Sequence, residues 1–148
     1  MTGLYFSESN PPASWSAFSI ARDEFGPKGA GLMVVPRAWT PPFVLVSAER
    51  AQVLLRQKPL AADVMEWLRA LAGGGNSIII RSSVIGETIW DRGTYKSLSA
   101  NLSAPNWPDE FQKGCAEVIG SGGGRPCALV LQRYLEPKQR GEFGNLLR

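Results

Sequence analysis

The chain contains no histidine and only two cysteines, Cys115 and Cys127, among its 148 residues. Without histidine there is no Ser-His or Cys-His nucleophile pair and no phosphohistidine carrier. With two distant cysteines and no histidine, a zinc site is excluded as well. Any chemistry must therefore be electrostatic, or be completed from outside the chain. Long apolar runs are also missing: no segment approaches the roughly 20 residues that span a bilayer. The start, MTGLYFSESNPP, lacks the basic and apolar regions of a signal peptide. A cytoplasmic protein with no membrane partner is expected, and its cysteines read as core or near-surface residues rather than a disulfide.

Dense charge is absent too. The formal net charge is +3, with Lys and Arg scattered rather than clustered, which argues against a nucleic-acid arm. No aromatic and basic platform for single-stranded RNA is evident either. A polyphosphate ligand fits the same charge balance. Hydrophobic residues at 44% and charged residues at 20% are ordinary globular values. The length suits one domain over 1–148, able to bury roughly two thirds of the surface of its unfolded chain.

The stretch SIIIRSSVIGETIWDRGTYKS, beginning at Ser77, is the most informative part. It starts as a strand over 77–80, ends that strand on Arg81, Ser82 and Ser83, and enters a polar loop with Glu87, Asp91, Arg92 and Gly93. An arginine at the end of a buried strand invites an anion, or else pairs with a nearby carboxylate. Upstream, residues 1–25 read as an irregular or strand-like lead-in carrying Tyr5, Phe6, Trp15 and Phe18. FGPKGAGLMVV follows, a glycine-rich turn in which Gly26, Gly29 and Gly31 permit close backbone approach while Lys28 supplies a point charge. It is neither a Walker A loop nor a dinucleotide fingerprint.

The remaining elements follow from periodicity. A strand is expected over 43–46, then Ser47 as N-cap of a helix over 48–57. After Pro59 a second helix spans 60–71, its Leu60, Val64, Trp67, Leu68 and Leu71 recurring at helical spacing as core. A strand over 95–102 pairs with 78–80. Asp109 is the expected N-cap of a helix to 119, with Phe111, Cys115, Val118 and Ile119 inward. CALVLQRYL is a buried strand, and EFGNLL looks like its hairpin partner. This order favours an α+β layer over a doubly wound sheet. The strand-like run at Arg148 reads as the cut edge of a longer chain or of a composite domain.

Three separated pieces, GPKGA with PPFVLV, IIIRSSVIGET with GTYKS, and ALVLQRYLEP, stand in the order of an established family. Together they resemble the N-terminal ATP-binding domain of the phosphoenolpyruvate synthase, pyruvate phosphate dikinase and rifampicin phosphotransferase family, from about residue 24 to the end. The resemblance implies an ATP-grasp-like N-terminal lobe over 26–148, with a mixed or antiparallel sheet and flanking helices, incomplete at its C-terminus. It implies ATP as ligand. Lys28 and Gly29 would lie at its phosphates, and Arg81 nearest the transferred phosphoryl as the catalytic cation. Gln132, Arg133 and Leu135 would border the adenine along a hinge. Magnesium would accompany ATP on ligands outside this chain, so Glu87 and Asp91 are assigned no metal. Ser82, Ser83 and Glu87 would be scaffolding for Arg81, with Glu87 its alternative ion-pair partner.

The sequence departs from the family pattern in several places. Pro27 replaces a glycine and Lys96 stands where glutamate is usual. The stretch after Lys28 is short, so the helix that follows KGA should be abbreviated or absent. The second ATP-grasp half, the histidine-bearing domain and the phosphoenolpyruvate barrel are missing. The expected function is therefore the ATP-binding lobe of a dikinase-like phosphotransferase, completed by a missing C-terminal half or a partner chain. The alternative is a catalytically inactive relative acting as a protein-interaction or regulatory module.

Overall fold

The computed structural model describes residues 3–88 and 96–135. Five strands, β1 (Leu4–Phe6), β2 (Phe43–Val46), β3 (Ser77–Val84), β4 (Ser97–Asn101) and β5 (Cys127–Arg133), form one open sheet in the order β1-β2-β5-β3-β4. Every neighbouring pair is antiparallel. Four helices accompany it: α1 (Trp15–Met33), α2 (Ala48–Arg56), α3 (Ala62–Ala72) and α4 (Trp107–Gly120). The class is α+β. No helix among the described residues is long and apolar enough to cross a membrane.

Period-two alternation decides which residue meets which helix. Val44, Val46, Ile78, Ile80, Leu129 and Leu131 join the inner faces of α2, α3 and α4 in the larger core. Phe43, Leu45 and Val130, the intervening positions, pack against Ala21, Phe25, Ala30 and Met33 of α1. β2 and β5 are covered on both faces, which is why FVLV and CALVLQ are continuously buried. Among the described residues, β4 is covered on one face only. Leu98 and Ala100 turn to the larger core while Ser97, Ser99 and Asn101 are exposed, so the face α1 occupies over β2 and β5 lies open over β4.

The connections are long-range. β5 lies between β2 and β3, which therefore run in the same direction and are joined through α2 and α3; β4 and β5 are related likewise through α4. Both edges of β5 are taken, by β2 and by β3. It thus offers no place to a hairpin partner of the kind EFGNLL suggested, and that segment lies outside the described residues.

Several local expectations hold. Ser47 caps α2, accepting from the Arg50 amide at 3.0 Å, and β4 pairs Ala100 with Ile78 and Leu98 with Ile80. Others need correction. Residues 15–25 are helical, begun by Ser14, whose hydroxyl accepts from the Ala17 amide at 3.1 Å. β3 runs through Arg81, Ser82 and Ser83 as expected and one residue further, to Val84. The cap of α4 is Asn106, with Asp109 inside the first turn, because Pro108 takes an early helical position where a missing N–H costs nothing. α3 starts at Ala62 rather than at 60.

Candidate functional site

The glycine-rich turn is a break within α1. Gly26 has φ 76° and ψ 166°, and Pro27 then restarts the helix, which ends at Met33. Pro27 is thus the opening residue of a short helical run, where its fixed φ is favourable. Of the turn glycines, Gly26 is the most tightly held: a Cβ there would lie 2.3 Å from the Ser83 hydroxyl and 2.7 Å from the Ser83 carbonyl oxygen. Gly31, by contrast, has open space around it.

Ser83 holds this break closed. Its hydroxyl donates to the Phe25 carbonyl at 2.6 Å and accepts from the Gly29 amide at 3.0 Å. One side chain from the end of β3 therefore satisfies a carbonyl before the kink and an amide after it, performing from another element the service of an N-cap. Ser83, read as support for Arg81, supports the Lys28 turn instead.

Glu87 also differs from expectation. It pairs with Lys28, Oε2 to Nζ at 3.5 Å, rather than with Arg81. Its other oxygen accepts from the Val84 amide at 3.0 Å. The Glu87 side chain is 5% exposed and that of Lys28 39% exposed, so the carboxylate is fixed and the ammonium reaches it from the surface. Arg81 donates from Nη1 to Gln132 Oε1 at 3.0 Å, and Gln132 Nε2 donates to Thr40 Oγ1 at 3.2 Å. Gln132 and Thr40 are both buried. A polar chain, Thr40 to Gln132 to Arg81, thereby orients the guanidinium on the sheet face that is open over β4.

The two cations belong to one face and are drawn apart along it. Arg81 and Ser83 are alternate residues of β3, roughly 7 Å apart along the strand. Arg81 leans to Gln132, which pairs with Ile79 in the ladder, whereas Lys28 leans to a carboxylate anchored on Val84.

The remaining candidates divide. Arg133 spends its guanidinium on the C-terminus of α3, donating to Leu71 O at 2.8 Å and Ala70 O at 3.3 Å. Its amide donates to Pro42 O, and that of Tyr134 to Ser77 O. Those amide protons are engaged within the sheet, so base reading through them is not available. Leu135 is half-buried at the end of the described residues. Lys96 binds Glu117 of α4 at 2.7 Å. Asp91, Arg92 and Gly93 lie outside the described residues.

Thr40 and the Gln132 side chain were missed as supports of Arg81. The signal available was polarity at buried positions, TPPF and LVLQR, where an unpaired amide or hydroxyl would be costly. Both cysteines are free and buried, and burial raises each thiol's pKa above its ordinary value. Neither is a nucleophile; Ellman's reagent should leave both unlabelled in native protein and label both on unfolding. No group of three or more His, Cys, Asp or Glu among the described residues could hold a metal ion. A groove of about 520 Å³ lies elsewhere, beside the start of α2. Its Asp23, Glu24 and Glu49 outnumber its one cation, Arg50, a balance unfavourable to a polyphosphate.

Fold and site together define an α+β domain with a five-stranded antiparallel sheet that presents two cations from adjoining segments of one partly open face. The chain matches no family model, no curated protein and no solved structure.

Proposed function

We propose that this chain is an ATP-grasp-like lobe of a dikinase-like phosphotransferase, binding ATP and completed by a second lobe or a partner chain. The observation that carries the reading is the Ser83 clamp, which seats the Lys28 turn on the face and strand that bear Arg81. Phosphoryl transfer through a loose transition state asks for positioned positive charge rather than covalent chemistry. Such charge is what a chain without histidine has to offer. Arg81 has the planar donor fork suited to a phosphoryl group and is held by a buried glutamine; Lys28 is a compact point charge on a pinned turn. Magnesium would accompany ATP and screen its phosphates, on ligands that the family resemblance places outside this chain.

Calorimetry of ATP binding tests this. Lys28→Ala and Arg81→Ala should each weaken binding about 10- to 100-fold, the worth of one charged hydrogen bond, with Lys28 at the lower end because it is part-exposed. Arg81→Lys should recover only part of the loss, since lysine lacks the fork. Equal heats in wild type and both alanine variants would sink the phosphate assignment.

One observation favours the second reading, a catalytically inactive interaction module: each cation already has an intramolecular partner, Glu87 for Lys28 and Gln132 for Arg81. A co-purifying protein retained equally with and without ATP would support that reading over the first.

A further inference from the structure

Lys28 rests on the Glu87 carboxylate at 3.5 Å, so a phosphate that draws on Lys28 must compete with that carboxylate. Glu87 is almost fully buried, yet its loop returns to β3, where its amide donates to Val84 O and Oε1 accepts from the Val84 amide. The second oxygen, Oε2, meets Lys28 Nζ. An oxyanion bound to a backbone amide and a lysine ammonium, beside a glycine turn, has the coordination that a phosphate oxygen would take at the same place.

We infer that Glu87 is a built-in competitor for the phosphate position at Lys28, and that a phosphoryl-bearing ligand binds by exchanging with its carboxylate. This rests on the ATP reading and adds to it a residue that sets affinity without belonging to the grip. The geometry explains why exchange is feasible. Glu87 is tied at both oxygens and stays with Val84, whereas the part-exposed lysine stem is long and flexible enough to swing towards Arg81. Ser83 keeps the turn in place during that motion, because its bonds are to the backbone of Phe25 and Gly29 and not to the lysine side chain.

Glu87→Gln separates charge from structure. The amide oxygen still accepts from Val84, and only the negative charge beside Lys28 is removed. Titration of ATP should give about 10-fold tighter binding to E87Q than to wild type, the effect of one nearby partly screened charge. Inorganic tripolyphosphate should gain by a similar factor, because the competition is for phosphate and not for the base. The gain should vanish when Lys28→Ala is added to E87Q. If E87Q stays within twofold of wild type or binds more weakly, while Lys28→Ala in the wild-type background still weakens binding, the exchange is overturned and the ATP site stands. If neither wild type nor E87Q binds ATP, both fall together.

A measurement on wild type keeps the inference testable should E87Q fold poorly. The Glu87 carboxylate carbon, followed by NMR in labelled protein, should shift along the same saturation curve as ATP binding. An unmoved Glu87 signal at saturating ATP would overturn the exchange.

Discussion

Gly26→Ala should destabilise the protein by about 3–5 kcal/mol, lowering the melting temperature by roughly 10–15 °C, and on the proposed function should weaken ATP binding in whatever fraction remains folded. Two separate costs combine. At φ 76° any L side chain is strained. In addition, its Cβ would stand 2.7 Å from the Ser83 carbonyl oxygen, a backbone atom that cannot turn aside. Removing the hydroxyl as well, in Gly26→Ala with Ser83→Ala, should not rescue stability, because the carbonyl contact remains. Gly31→Ala supplies the control: it lies in the same helix with nothing near its Cβ, and should be neutral or stabilising by up to ~1 kcal/mol. Thermal melts of the four proteins decide the matter. A Gly26→Ala protein that melts with wild type would show that the turn is not seated on β3 in this way.

Phe111→Ala should cost about 3–5 kcal/mol of stability while leaving the site intact. The ring is 0% exposed and joins the core between α4 and the sheet, among residues such as Ile80, Leu129 and Leu131. Its removal leaves a cavity in that close-packed region, a large fraction of the ~5–15 kcal/mol that holds a domain together. The expected signature is a lower denaturant midpoint with an unchanged slope. Phe111 lies on the sheet face opposite Arg81, so the ATP affinity expected of the proposed function, measured well below the transition, should match wild type. Trp15→Ala, at a side chain 72% exposed, should stay within about 0.5 kcal/mol. Similar losses from Phe111→Ala and Trp15→Ala would contradict the arrangement of the core.

The parts legible in the sequence share one physical cause, local periodicity. α2, α3 and α4 each bury one stripe against the sheet, so their apolar residues recur at helical spacing and their positions were readable to within three residues. β4 alternates because one of its faces is open. α1 defied the same reading. Ser16 and Ser19 interrupt its apolar residues, and Trp15 and Ile20, 72% and 66% exposed, do not mark its buried face. Gly26 and Pro27 then look like an end rather than a kink. Within β3 the polar Arg81 and Ser83 are accommodated by contacts made far away in sequence, with Gln132 for the one and with Phe25 and Gly29 for the other.

The candidate site divides along the same line. Lys28 on a glycine turn and Arg81 at the far end of an apolar strand were visible as residues. Their partners were not. Ser83 reaches Gly29 across 54 positions, and Arg81 reaches Gln132 across 51. Glu87 was free, as far as the sequence could say, to choose either cation.

By itself, then, the sequence determined the α+β make-up, the absence of histidine from this chain, and the two cations worth watching. Tertiary structure alone decided that β5 enters between β2 and β3, that Ser83 clamps the Lys28 turn, and that Glu87 faces Lys28 rather than Arg81. The reason is that periodicity reports which side of an element is buried and is silent on what covers it. Pairing partners are set by strand order and register, which emerge only when distant segments meet.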